Sequence, residues 1–281
     1  MQANVDAPKV SIYISTFNRI DKLRRAIDSV LRQDYSDWEL LICDDASSDG
    51  TEEFCIELER LNSNIRYFRN ATNLGACVAR NLGIFNAKGK FITGLDDDDE
   101  FTPERLSFFL ENWDDKFSFI CCNFTNKYAT EESIYYKDNG EKCAFSYKDL
   151  LFENEASNQI FTLTSRLQKI GGFNKNVKRL QDWDTWLRLS YEYGEFLRLN
   201  KSTYIMNHDR SPRENRVSQN AKITESLLEL ASRNHEIYSV SDLRYMTYIV
   251  DSMNKQARLK ETIYWSYKKK NIKFIVKYLL Q

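Results

Sequence analysis

Along the first half of the chain, short apolar runs of strand length alternate with apolar stripes at helical spacing. Val10 to Ser15 predicts a buried strand, after which Leu23, Ala26, Ile27, Val30 and Leu31 recur at the spacing of one helix face. Trp38 to Cys43 predicts a second strand. Asp-rich turn residues follow it, then a helix carrying Phe54, Leu58 and Leu61. Ile65 to Phe68 is a short third strand. The next helix runs from about Ala76 to Asn86, and Lys88-Gly89 is expected to end it as a glycine past a helix C-terminus does. Phe91 to Leu95 is the fourth strand, running straight into acidic residues, and Pro103 is expected to open another helix. This alternation predicts an α/β fold with a parallel sheet and crossover helices.

The second half is less regular. Phe117 to Phe124 predicts a strand, and Asp138-Asn139-Gly140 a hairpin turn within a Tyr-rich stretch. Leu187, Leu189 and nearby aromatics predict a helix after Asp182. From about Ala221 the pattern is helical, polar and rich in lysine. A chain of 281 residues suits one large α/β domain, expected over 1–220, with a helical extension over 221–281.

The net charge of -1 argues against a nucleic-acid partner, which calls for a strongly basic face. The six cysteines form no C-x-x-C pair and no zinc spacing, so buried reduced thiols are expected. The opening Met-Gln-Ala-Asn-Val-Asp-Ala-Pro lacks the apolar core of a signal peptide. No apolar stretch approaches the roughly 20 residues of a membrane helix. A cytoplasmic location is therefore expected, with any membrane met from the side. The tail offers a means: from Lys255 onward eight lysines and arginines stand against Glu261 alone, interleaved with Ile263, Trp265, Tyr267, Phe274 and Leu279. That mixture suits an anionic lipid surface, or equally a packed helical pair with a solvated lysine face.

Leu95-Asp96-Asp97-Asp98-Asp99-Glu100 is the most informative segment. Open α/β sheets bind ligands at the carboxyl ends of their strands, where this run sits. Adjacent carboxylates repel one another unless a cation offsets them, and Mg²⁺ or Mn²⁺ commonly bridges such oxygens to a diphosphate. The plain alternative is a solvated turn in which Asp99 or Thr102 caps the Pro103 helix. Asp44-Asp45-Ala46-Ser47-Ser48-Asp49-Gly50 ends the second strand beside the same face, with Asp45 available to a ligand and Ser48 or Asp49 to cap the next helix. No Walker-type glycine-rich loop with its lysine is present, so diphosphate charge would have to be met by a metal.

Four separated motifs, each at a strand end or helix start, resemble the family 2 glycosyltransferases of the GT-A fold. They are Ser11 to Arg19, Cys43-Asp44-Asp45-Ala46-Ser47, Asn73-Leu74-Gly75-Ala76 leading to Ala79-Arg80-Asn81, and Gly94-Leu95 with Asp96 to Asp99. The resemblance spans roughly residues 9 to 220, and its 92–106 and 181–184 segments are most like the bacterial exopolysaccharide members. It implies a donor-binding half over about 9–115 and an acceptor half over about 116–220. It also implies transfer of a sugar, with inversion, from a nucleotide-diphosphate donor such as a UDP-sugar. The acceptor would be a glycan or a lipid-diphosphate-linked oligosaccharide.

By position, Asp45 would contact the nucleobase, and Ser15 and Phe17 would line base and ribose. Asp98 would be the direct ligand of Mn²⁺ or Mg²⁺, with Asp96 near the ribose or metal and Asp97 at a variable, dispensable position. Arg80 falls near the donor, or forms a salt bridge on the helix surface. Asp182 is the candidate base, flanked by Trp183 and Trp186, whose aromatic surroundings would raise its pKa. The family's usual Glu-Asp is Gln181-Asp182 here, one negative charge fewer. His208, in a late loop, would complete the metal shell or else be solvated. Arg213, Arg216 and Ser218 are candidate diphosphate contacts, and Trp113, Trp183 and Trp186 candidate sugar-stacking faces.

Two rival functions fit the sequence less well. A sugar-1-phosphate nucleotidylyltransferase wants a glycine-rich loop with Arg and Lys after strand one, where this chain has Thr16-Phe17-Asn18-Arg19. A non-catalytic nucleotide- or glycan-binding relative would have lost either the acidic run or Asp182, and both are present.

Overall fold

The structure, a computed structural model, describes residues 9–137, 142–208 and 220–280. The turn expected at Asp138-Asn139-Gly140 lies outside these, as do Arg213, Arg216 and Ser218. The chain divides into two units: Met1–Leu150 with Asn154–Pro212, and Arg213–Gln281 with Leu151–Glu153.

The first unit opens with β1 (Val10–Thr16), α1 (Ile20–Leu31), β2 (Trp38–Asp44), α2 (Thr51–Leu61), β3 (Ile65–Arg69), α3 (Ala76–Asn86) and β4 (Phe91–Asp96). β3, β2, β1 and β4 lie side by side in that order, all parallel. The chain winds outward from β1 to β3 and then crosses back to place β4 on β1's other side. Ligands bind at the carboxyl ends of strands at such a reversal. The register sets Ser15 opposite both Cys43 and Asp96, so the ends of three strands stand level.

Both faces of this parallel half are covered, as buried parallel strands require. Val10, Ile12, Ile14, Leu40 and Ile42 pack with Leu23, Ala26, Ile27 and Val30 of α1. Leu41 and Cys43 face the other way, onto Ala79 of α3.

The remainder of the unit makes the sheet mixed. It contains β5 (Glu100–Phe101), α4 (Arg105–Asn112), β6 (Ile120–Lys127), β7 (Glu132–Ile134), β8 (Cys143–Phe145), β9 (Ile160–Leu163), α5 (Thr164–Lys169), α6 (Gln181–Tyr193) and β10 (Phe196–Asn207). β9 lies antiparallel between β4 and β6, β10 runs parallel to β6, and β5 closes that edge antiparallel to β10.

Two local expectations are corrected. Gly89 does not cap α3 in a left-handed conformation: Ala87 ends that helix in extended geometry. Gly89 is needed instead for close approach, since a Cβ there would stand 2.6 Å from the Ser11 nitrogen, and its N–H donates to Ser11 Oγ at 2.8 Å. Pro103 precedes α4 by two residues, its carbonyl accepting from the Asp34 N–H at 2.9 Å. All six cysteines are free, five of them buried.

In the second unit stand α7 (Asn220–Arg233), α8 (Val240–Met253), α9 (Leu259–Lys268) and α10 (Lys273–Leu279). A capping box of Ser239 and Asp242 starts α8. Trp265 is buried, its ring 4.6 Å from that of Tyr245, which meets Phe152 edge-on at 4.7 Å. Tyr267, Ile272, Leu279 and Leu280 are exposed. Among the described residues no helix is long and apolar enough to cross a membrane.

Candidate active site

β4 ends on Asp96, and the acidic run folds as a tight turn into β5. Its four aspartates have different surroundings. Asp97 is buried, accepting from Thr16 Oγ1 at 2.8 Å and Arg19 Nη1 at 3.0 Å. Burial pushes its pKa up, against the hydroxyl and the guanidinium. Expected to be dispensable, Asp97 instead ties the turn to the end of β1. Asp98 shares the same Arg19 nitrogen at 3.0 Å, and its side chain is 33% exposed. Asp99 is buried and caps nothing: it accepts from Tyr204 Oη at 2.8 Å and the Asn207 N–H at 2.9 Å. Its pKa is pushed up to about 8, by burial first and then by Asp96.

Arg25 of α1 and Arg32, the residue that ends it, supply much of the cationic balance that the run demanded. Arg25 donates to the Asp98 carbonyl and pairs with Glu100 at 3.6 Å, and Arg32 pairs with Glu100 at 3.7 Å.

Asp96 is held from three sides. Arg80 Nη2 donates to it at 3.1 Å, Gln159 Nε2 at 3.0 Å and Asn158 Nδ2 at 3.4 Å. Gln159 reaches it because residue 94 is glycine: a Cβ there would collide with Gln159 Oε1 and stand 2.5 Å from the Tyr13 ring.

Arg80 is no surface group. It lies between Asp96 and the start of α6, donating to Gln181 Oε1 at 2.7 Å and standing 3.6 Å from Asp182 Oδ1. Burial disfavours its charge, but Asp182 and Asp96 outweigh that and hold its pKa above the ordinary value. Asp182 Oδ1 is buried with no hydrogen bond, and burial raises its pKa to about 6, partly offset by Arg80. Leu180 places this group: its left-handed backbone (φ 57°) turns the chain into α6, at roughly 1 kcal/mol for a residue other than glycine. The two neighbouring indoles have partners of their own. Trp186 is core, packed edge-on against Phe173, and Trp183 donates to the Leu150 carbonyl. Trp113 likewise packs on Phe91 and Phe161; of the three tryptophans only Trp183 borders a pocket, the one at the start of α6.

A cleft of about 510 Å³ brings most of the expected residues together, among them Ser15, Phe17, Asp45, Arg80, Asp96 and Asp98. Its size and mixed lining suit a small ligand. Asp45 is buried at its edge and largely committed: Asn70 Nδ2 and the Leu74 and Gly75 N–H groups donate to it at 2.8, 2.9 and 2.7 Å. It thereby holds the turn that starts α3. Asp49, next along, accepts from the Ile20 and Thr51 N–H groups and so starts both α1 and α2. His208 is not among the residues of the cleft; its ring bonds Asn126 Oδ1 at 2.7 Å and stacks on Tyr128. A second pocket of about 480 Å³ lies at the start of α6, with Asp182 in its wall.

Whether these residues suit a divalent cation can be judged from their chemistry. Among the described residues no three His, Cys, Asp or Glu side chains close on one point. Mg²⁺ and Mn²⁺ do not require that, since they keep waters and phosphate oxygens in their shell and take one or two carboxylates. Asp96 and Asp98 on one cleft, the latter partly exposed, fit such an ion.

The sequence reading missed Arg19, Asn158, Gln159, Tyr204 and Asn207. Arg19 closes the Ser11 to Arg19 motif, where nothing in the sequence ties it to the aspartates about 80 positions on. The others lie on β10 or just ahead of β9, where no local pattern points to the acidic turn.

The pattern of glycosyl transferase family 2 matches residues 11–206. The chain is 38% identical over 204 residues, 71% of its own length and 72% of the relative's, to an Escherichia coli K12 protein named as a colanic acid biosynthesis glycosyl transferase, WcaA. TarS of S. aureus, solved with UDP-GlcNAc, superposes with a TM-score of 0.64 over 88% of this chain and 72% of that one, at 17% identity. The mannosyltransferase PcManGT of Pyrobaculum calidifontis, solved with GDP-Man and Mn²⁺, gives a TM-score of 0.60 over 89% and 72%, at 14% identity. At these identities the likeness is one of fold, the GT-A arrangement of a mixed sheet flanked by helices.

Proposed function

The chain belongs to glycosyl transferase family 2, and on that premise we propose that it moves a sugar, with inversion, from a nucleotide-diphosphate donor to a hydroxyl of a growing bacterial surface glycan. The observation that carries this reading is Arg80, which joins Asp96 of the acidic turn to Asp182 at the start of α6. The donor is a UDP-sugar, as in the TarS complex, and the acceptor a glycan or a lipid-diphosphate-linked oligosaccharide. The likeness to a protein named for colanic acid biosynthesis supports the assignment to polysaccharide synthesis.

In this reading Ser15 and Phe17 receive base and ribose. Asp45 has three of a carboxylate's roughly four acceptor positions filled, leaving one for the base. Asp98 with Asp96 would hold Mn²⁺ or Mg²⁺, and His208 would join them by leaving Asn126 and Tyr128. When bound, the cation supplies Lewis-acid stabilisation to the departing diphosphate. Arg80, held in the cleft by Asp96, adds a fixed positive charge on the same side. Asp182 takes the proton of the attacking hydroxyl; a pKa near 6 leaves it ionised at neutral pH while keeping it more basic than an ordinary aspartate. The enzyme works at the inner face of the cell membrane, which its basic C-terminal helices meet peripherally, and it binds no nucleic acid.

The test is a screen of UDP- and GDP-sugars for nucleotide release and transfer, with Mn²⁺ and with chelator, and NMR of the product's anomeric configuration. Metal-dependent release from one donor and an inverted product are expected. Donor binding indifferent to chelator would remove the metal, and a retained configuration would remove Asp182 as base.

A further inference from the structure

The pocket of about 480 Å³ at the start of α6 lies across the Arg80–Asp182 ion pair from the cleft. Asp182 lines this pocket and Arg80 lines the cleft, so the two spaces adjoin at this pair, whose charged groups stand 3.6 Å apart. Oδ1 of Asp182 is buried in that wall without a hydrogen-bond donor. The left-handed turn at Leu180 presents Lys178 and Arg179 on the same rim. Both are exposed, and among the described residues neither makes an ion pair or hydrogen bond through its side chain. Asp182 is the one carboxylate of the lining, and Arg80 already offsets it from behind. The pocket therefore presents two uncompensated positive charges to whatever enters it.

A neutral sugar gains little from such a lining, which is complementary to an anion. We infer that this pocket is the acceptor site and that it selects acceptors bearing an anionic group, a phosphate or a carboxylate, near the attacking hydroxyl. The inference rests on the transferase reading, for which Asp182 is the base. The hydroxyl is directed to Asp182 while Lys178 and Arg179 hold the anion. Asn154 and Gln181 complete the polar wall.

The test measures binding by NMR titration at low ionic strength, where exposed charges are least screened. The cleft is first saturated with UDP or GDP and Mn²⁺, which keeps added phosphates out of it. Methyl β-glucuronide, glucose 1-phosphate and methyl β-glucoside are then titrated. One anionic probe is expected to bind at least about tenfold more tightly than the neutral glucoside. A preference for glucose 1-phosphate identifies a phosphate, and one for the glucuronide a carboxylate. Lys178→Ala/Arg179→Ala should abolish the margin while leaving nucleotide affinity unchanged, and Lys178→Arg/Arg179→Lys should restore it. Equal binding of all three probes to the wild type, or a margin that survives the double alanine variant, overturns the inference and leaves the transferase reading standing. Failure of both nucleotides to bind overturns the reading and this inference with it.

Discussion

Arg80 stands 3.6 Å from Asp182, close enough to restrain the pKa of the proposed base but too far for a hydrogen bond. Burial raises that pKa to about 6, and Arg80 limits the rise. A base works only when ionised, so transfer should increase as pH rises through about 6 and then level off. Arg80→Gln removes the restraint, and the acidic limb of the pH–rate profile should move to higher pH. Asp182→Asn should lower transfer by about 10²- to 10⁴-fold with nucleotide affinity unchanged. A profile whose acidic limb stays put in Arg80→Gln would show that the pair is not coupled to catalysis.

Asp97 and Asp98 are neighbours in sequence with opposite expected phenotypes. Asp97→Ala leaves Thr16 Oγ1 and an Arg19 nitrogen without their buried acceptor and should cost about 1–3 kcal/mol in urea denaturation. Asp98 is partly exposed and paired with a half-exposed guanidinium, so Asp98→Ala should change stability by less than about 1 kcal/mol. It should, however, remove the Mn²⁺ dependence of nucleotide binding. Calorimetric titration of the nucleotide with and without the metal separates the two.

Gly94→Ala would force a methyl group onto Gln159 Oε1 and the Tyr13 ring, both in the packed interior. Overpacking of this kind should cost about 1–3 kcal/mol. It should also unseat Gln159 from Asp96, so donor binding falls further than in a surface variant of equal stability. Matching urea midpoints to nucleotide affinities across several variants distinguishes the local effect from a general loss of folding.

Asp99 makes a statement about stability. Its folded pKa of about 8 lies above the unfolded value of 3.8, so the native state holds the proton more tightly. The sign follows from linkage: the contribution is fully present below about pH 4 and is lost as pH rises through about 8. In chelator, the metal-free protein should therefore lose stability across that window, by at least about 1 kcal/mol. Asp99→Asn should flatten the loss, with Tyr204 Oη turning to accept from the amide. Urea midpoints at a series of pH values supply the measurement, and an unchanged slope in the variant would remove Asp99 as its source.

The parallel half was legible because each of its strands is a nearly unbroken apolar run between helices, and burial on both faces leaves that trace. The acidic turn was legible for a related reason: four carboxylates at a strand end need an explanation. β10 hid itself. Its Arg198 looks like a surface residue but is buried against Glu155 and stacked over Tyr136, which breaks the expected alternation. β9 runs into α5 with no glycine or proline between them, so no boundary is marked. The division of roles within the aspartate run was also invisible. Which carboxylate is buried depends on Thr16, Arg19 and Tyr204, residues about 80 to 105 positions away, and one-dimensional patterning carries no such information.

The C-terminal helices separate two kinds of residue that the sequence left mixed. Trp265 is buried within its own unit, whereas Tyr267, Ile272 and Leu279 are more than two-thirds exposed. Lys255, Lys273 and Lys277 rim a cavity of about 430 Å³ floored by Met253, Val276 and Leu280. Apolar groups bordered by lysine suit the boundary of an anionic bilayer, where each lysine near the surface contributes about 1 kcal/mol. The full chain should therefore cosediment with phosphatidylserine-containing vesicles and not with purely zwitterionic ones, less so as salt is raised. Lys273→Glu/Lys277→Glu removes two favourable charges and adds two unfavourable ones, so vesicle affinity should fall at least about thirtyfold. Release of nucleotide from the donor in solution should be unaltered in that variant, because neither lysine lies in the cleft or in the pocket at Asp182. Cosedimentation insensitive to lipid charge and to salt would leave the lysines as a merely solvated face.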